Sequence, residues 1–217
     1  NKNLFMDIIY CAGGNSKLAE IAKQEGFLYG ARSDDIRQLH CNGLIDISWK
    51  NYDWKKHVSA VQEHKPKYAV VPDIINYDDL SDMLTKIDDI KYHCNHVIVV
   101  PKIHNIIKYI PSNIVIGVSV PTSYAGFLPY EPELINRDVH LLGGSPGQQR
   151  DLWKTYKEYD IRVVSVDCNS HSKASDFGAY WDGHQWSKMK RKYIGKYEAF
   201  RMSCKGIMKM WNTLGAV

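Results

Sequence analysis

Apolar residues come along this chain in short bursts separated by segments of a different rhythm. Runs of roughly four to eight aliphatic and β-branched residues, bounded by glycine, proline or aspartate, are the signature of strands. Between them, apolar residues recur every three or four positions, as on a helix with one buried face. Strands are accordingly expected at 6–13 (MDIIYCAG), 27–33 (FLYGARS), 44–48 (LIDIS), 68–73 (YAVVPD), 96–102 (HVIVVPK), 113–120 (NIVIGVSV), 139–144 (VHLLGG) and 161–167 (IRVVSVD). Helices are expected at 16–24, at 34–40 behind an Asp34 cap, and at 53–63 behind an Asp53 cap. Further helices are expected at 77–92, where Leu80, Met83, Leu84 and Ile87 form a stripe, and at 103–109, 131–136 and 148–158. A basic C-terminal helix is expected over about 186–214.

Strands alternating with helices imply right-handed βαβ units and a parallel sheet. The uninterrupted apolar strands YAVV and HVIVV fit burial on both faces. Eight such units in 217 residues predict an α/β fold, a compact (β/α)8 barrel of one domain covering 1–217. A doubly wound open sheet is the alternative. It would carry a GxGxxG turn after the first strand, and CAGGNSK does not match one.

Composition narrows the class. A hydrophobic fraction of 44% with 24% charged residues is that of a globular protein, not a disordered or fibrous one. The apolar runs are too short to span a bilayer, so no membrane partner is expected. The first apolar run enters a glycine turn, as a strand does and a signal peptide does not. The five cysteines are scattered without zinc-ligand spacing, which points to reduced thiols in a cytoplasm and to neither metal nor cofactor. A net charge of +4 suits an anionic partner without demanding one.

In a barrel, chemistry gathers at the carboxyl ends of the strands. Three single carboxylates fall there: Asp46, Asp73 and Asp167. A buried carboxylate costs free energy unless it is paired or used. Each also has a plainer reading, as a cap or a hydrogen-bonded structural acid. Lys102 ends the fifth strand and could be a Schiff-base lysine, a phosphate clamp or a solvated rim charge. Ser119 ends the sixth. The turn LLGGSPGQQ offers bare amides at Gly143 and Gly144 that could cradle an anion or admit a flat ring. In WSKMKRKYIGKYEAFRMSCK, residues Lys188, Lys190, Arg191, Lys192 and Lys196 could contact phosphates or form a solvated helix face. Arg150 and Lys173 lie nearer the expected site.

The stretch LLGGSPGQQRDLWKTYKEYDIRVVSVDCNSHSKASDFGAYW resembles the last barrel units of tRNA-guanine transglycosylases and their DNA-modifying relatives. Those enzymes place a glycine turn, a helix and then a strand ending in an aspartate followed by cysteine. The resemblance makes Asp167 the covalent nucleophile, with Asn169 beside it. VVPDI is similar to the strand whose aspartate binds the guanine edge, which implies that role for Asp73. IVIGVSVPTSYAG is similar to the base-contacting glycine strand, and so implicates Gly117. LIDISW falls where the family has its acid/base aspartate, which would be Asp46. Lys102 stands where the family has a glutamine–glycine pair, and the zinc-binding subdomain has no counterpart. The likeness covers roughly 44–182, with 139–168 its most specific part.

The resemblance thus implies a transglycosylase, nearer to the phage enzymes that insert 7-deazaguanines, exchanging guanine for a preQ0-type base. The polymer would be DNA before tRNA, the compartment the cytoplasm, a host's if the gene is a phage's, and a partner protein could supply nucleic-acid-binding surface. Gly117, Gly143 and Gly144 would leave room for the ring, and Tyr124 and Trp181 are candidate stacking surfaces. An N-glycoside hydrolase on the same scaffold, a Schiff-base or phosphate-binding lyase using Lys102, and a non-catalytic binding module remain open.

Overall fold

The computed structural model describes residues 5–11, 15–36, 40–48, 51–121, 127–188 and 194–217. Eight strands form in chain order: β1 Asp7–Cys11, β2 Leu28–Arg32, β3 Leu44–Asp46, β4 Tyr68–Val70, β5 His96–Val99, β6 Val115–Ser119, β7 Asp138–Leu142 and β8 Arg162–Cys168. Each pairs in parallel with the next, and β8 pairs with β1, so the sheet closes into a TIM-type barrel. The helices are α1 Ser16–Gln24, α2 Trp54–His64, α3 Asp79–Ile90, α4 Glu131–Leu134, α5 Pro146–Glu158, α6 Ser170–Ser175 and α7 Lys196–Thr213, with a 3-10 turn at Ile107–Tyr109.

Local chemistry explains where the helices start. Asn15 accepts from the Leu18 amide at 3.2 Å, and Asp53 from the Lys56 amide at 3.1 Å. Ser145 and Gln148 cap one another reciprocally at the start of α5, with Pro146 supplying a preset φ. Two apolar layers hold the barrel. Ile9, Leu44, Tyr68, Val70, Ile98 and Val115 fill its interior. Ile8, Tyr10, Ile45, Val71, Val99 and Leu141 face the surrounding helices.

Two expectations need correction. The basic helix does not begin near 186. Trp186–Lys188 is a strand, β10, antiparallel to β9 (Ala179–Trp181), and the helix runs only over Lys196–Thr213. Asp182 turns this hairpin, accepting from the His184 and Gln185 amides and the Ser187 hydroxyl, a local network that outcompetes helix. The helix expected at 34–40 is not formed at 33–36, which make a turn with Asp35 N–H donating to Arg32 C=O; 37–39 lie outside the described residues. Helix α7 supplies the barrel's last helical cover. Its Trp211 meets Trp153 of α5 edge-on at 6.0 Å, and its Arg201 bonds Glu25 at 2.8 Å beside α1.

One irregularity sets what faces inward. The β7–β8 register runs Val139↔Val163 and then His140↔Ser165, so β8 holds one extra residue, Val164, in a bulge. Val163 packs outward, and unbroken alternation from it would send Asp167 outward too. The bulge reverses the phase. Val166 and Cys168 pack outward, while Ser165 and Asp167 turn into the barrel.

Candidate active site

The three predicted carboxylates converge on the carboxyl-terminal mouth of the barrel. Asp46 ends β3 opposite Arg32 of β2. Its Oδ1 accepts from the Ile47 amide at 2.8 Å. Burial, then the charge of Asp167, then that of Asp73, push its carboxyl from 3.8 up to about 7, against the opposing pull of the Ile47 amide and Arg32. Asp73 lies just past β4. There the isolated bridge Ile74↔Pro101 extends the β4–β5 pairing and sets Asp73 beside Lys102. The Lys102 ammonium is 3.7 Å from Asp73 Oδ2 and donates to Ser119 Oγ at 2.6 Å. Burial raises the Asp73 carboxyl, and the Lys102 charge opposes it.

Asp167 is the best-supported carboxylate. Its Oδ1 lies 3.1 Å from His140 Nε2 and accepts from the Gly143 amide at 3.3 Å. Gln149 reaches back from α5 to the Asp167 and Gly143 carbonyls at 2.7 and 2.8 Å, fixing the turn that carries that amide. Gly143 has φ +67° and open space where a Cβ would stand, as a surface approached by a ligand requires. Cys11 of β1 is buried beside these acids. Burial first, then Asp167 and Asp46, raise its thiol well above the ordinary range, which favours the protonated thiol.

Other expected members belong elsewhere. A Cβ on Gly117 would meet Ile98, Val100 and Leu142 at 2.8 Å, and one on Gly144 would meet Val120 at 2.6 Å. Their small size therefore serves barrel packing, and of the three glycines only Gly143 leaves space for a ring. Trp181 is 4% exposed in β9, against Gly147, Trp186 and the α7 backbone, so it is a core residue and not a stacking surface. Arg150 bonds Asp151 and the His184 carbonyl, which tethers the hairpin to α5. Lys173 and Asn169 are exposed around α6. Cys168 points away from the mouth to His171 Nδ1 at 3.5 Å, with its thiol pushed by burial to about 12. Tyr124, Lys190, Arg191 and Lys192 lie outside the described residues.

Sequence reasoning missed Arg32, His140 and Ser165. A period-two signal was there for each: Gly30 and Arg32 share a face, as do His140 with Leu142 and Ser165 with Asp167. For Ser165 and Asp167, which face is inward depends on the bulge at Val164, which has no mark in the sequence.

A family model described as "Family of unknown function (DUF6610)" matches residues 22–212. The chain belongs to this family. None of the curated proteins matches it in sequence. Among solved structures, this DUF6610 chain is similar to phosphoribosyl anthranilate isomerase from Thermus thermophilus, at 9% identity and a TM-score of 0.51, over 94% of this chain and 100% of that one. It is also similar to a truncated 3-deoxy-D-arabino-heptulosonate 7-phosphate synthase from Thermotoga maritima, at 11% identity and a TM-score of 0.52, over 98% of this chain and 89% of that one. At such identities the likeness is one of fold. No helix among the described residues is long and apolar enough to cross a membrane.

Proposed function

We propose that this protein is a base-exchanging N-glycosyltransferase, replacing guanine in DNA by a 7-deazaguanine of the preQ0 type through a covalent aspartyl intermediate. The observation that carries this is the pair of unlike carboxyls at one mouth, Asp167 beside the His140 ring and the Gly143 amide, and Asp46 raised by burial to about 7. Two carboxyls whose surroundings separate them are the usual apparatus for cleaving and reforming a glycosidic bond.

Asp167 attacks C1′ of the nucleotide, and the C1′–N9 bond breaks. Its electron pair passes to N9, which takes a proton from Asp46. The Asp46 carboxylate then removes the N9 proton of the incoming base. That nitrogen attacks C1′, and the ester to Asp167 breaks to return the carboxylate. A group titrating near neutrality can serve in both steps. Asp73, Lys102 and Ser119 stand together where donors and an acceptor can read a guanine edge. The target base must be flipped out of a duplex or presented single-stranded. Phosphate contacts from Lys173, and from Lys190 and Arg191, would add salt-sensitive affinity, and a partner protein could extend the surface. Such a substrate places the protein in a cytoplasm.

The test is exchange of labelled guanine and preQ0 into DNA and, separately, tRNA by wild type and Asp167→Asn. Label entering DNA, and lost at least about 100-fold in the variant, is expected. Free guanine released without incorporation would replace this reading by a hydrolase.

A further inference from the structure

The core of the barrel holds a polar string that the reaction above does not use. His140 and Ser165 are both fully buried, and His140 Nδ1 lies 2.7 Å from Ser165 Oγ. The Ser165 side chain also lies against the Tyr68 hydroxyl. That hydroxyl donates its own proton to Asp7 Oδ2 at 2.6 Å, and Lys67 holds Asp7 at 2.7 Å. The string therefore runs from the closed end of the barrel to Asp167.

We infer that His140 and Ser165 form a tautomer lock, which orients Asp167 as a carboxylate with Oδ2 as its attacking oxygen. The inference rests on reading Asp167 as the nucleophile. It follows from counting protons. A neutral imidazole carries one N–H, and the serine hydroxyl carries one proton. If Ser165 donates to Nδ1, the ring proton sits on Nε2 and donates to Asp167 Oδ1. If Nδ1–H donates to Ser165 instead, Nε2 turns a lone pair on the carboxylate, which must then be protonated and cannot attack. The first arrangement is the one in which a carboxylate at Asp167 is met by a donor, and the Gly143 amide, shared between the Asp167 carbonyl at 3.1 Å and Oδ1 at 3.3 Å, is the second donor on that oxygen. With both donors on Oδ1, the other oxygen is left for C1′. His140 is thus a positioning residue, and Ser165 positions His140.

Of the other titratable groups nearby, Tyr68 from β4 faces the His140 ring, while Cys11 from β1 and Asp46 from β3 act on Asp167. None of them replaces the Ser165 hydroxyl at Nδ1. Removing that hydroxyl should let the ring proton move to Nδ1 and take a donor away from Asp167 Oδ1.

The decisive experiment is nitrogen-15 NMR of the His140 ring in wild type and Ser165→Ala, joined to kinetics. The wild-type ring should be the Nε2–H tautomer at pH 7, and Ser165→Ala should populate Nδ1–H. In exchange assays, Ser165→Ala should lose about 10-fold or more in kcat with KM for the polymer little changed. His140→Gln, which keeps a donor near the Nε2 position, should retain more activity than His140→Leu. A wild-type ring found as Nδ1–H, or a Ser165→Ala ring unchanged in tautomer, overturns the lock. If no exchange occurs with any polymer, the proposed reaction falls, while the NMR arm still decides the lock.

Discussion

Asp46 and Asp167 are the same residue type at one barrel mouth, and their surroundings set them apart. One oxygen of Asp167 meets both the His140 ring and the Gly143 amide, whereas Asp46 has one neighbouring amide and two nearby carboxylates. The raised Asp46 carboxyl has a consequence for stability. Between 3.8 and about 7 the folded protein holds a proton that the unfolded chain has lost, so this group weakens the fold as pH rises through that window. Asp46→Asn keeps an oxygen for the Ile47 amide and removes the charge. It should raise stability at pH 8 by about 1–2 kcal/mol, a figure reduced for partial solvent exposure, with little change at pH 4. Thermal unfolding at the two pH values reads this, and the variant should have lost base exchange. The carboxylates themselves were legible from their places at strand ends. His140 and Ser165 were not, because a polar residue inside a strand points to the core or to the barrel axis according to the strand's phase, which for Ser165 the bulge at Val164 resets.

At the scale of elements, the strands were readable because burial on both faces leaves continuous apolar runs, and α2 because Asp53 marks its start, whereas Asp34, read the same way, lies in a turn. The end of the chain was misread. The composition of 186–195 suits a basic helix, yet Asp182 turns a hairpin there, and α7 starts only at Lys196. The hairpin and α7 fit because Gly206 has no side chain. A Cβ there would stand 2.1 Å from the Trp181 carbonyl oxygen and 2.9 Å from the Gly183 nitrogen. Alanine would bring about 1 kcal/mol of helix propensity, but the clash is with backbone and cannot be relieved by a rotamer. Gly206→Ala should therefore cost about 1–3 kcal/mol in urea unfolding, with faster amide exchange in Ala179–Trp181 and α7.

Across the whole molecule, the two ends of the barrel are built for different ends. At the amino-terminal end, Asp7 is held by Lys67 and Tyr68, and Asp138 by Arg162. At the carboxyl-terminal end, Asp46 is left with a strained proton affinity and Gly143 with open space. That asymmetry is the general division of labour in barrel enzymes, where one face stabilises and the other reacts. Fold likeness to an isomerase and a synthase at 9% and 11% identity leaves the chemistry to be argued from this mouth alone. The central claim is that Asp167 becomes covalently attached to a nucleotide. The most direct measurement is to incubate the protein with guanine-containing DNA without an incoming base, denature it, digest it and map any adduct by mass spectrometry. The account predicts a DNA-sized adduct on the peptide containing Asp167, absent in Asp167→Asn and discharged when preQ0 is added. An adduct appearing only after borohydride, and on Lys102, would contradict it in favour of Schiff-base chemistry; no adduct on Asp167 with any DNA or tRNA would leave that aspartate a structural acid.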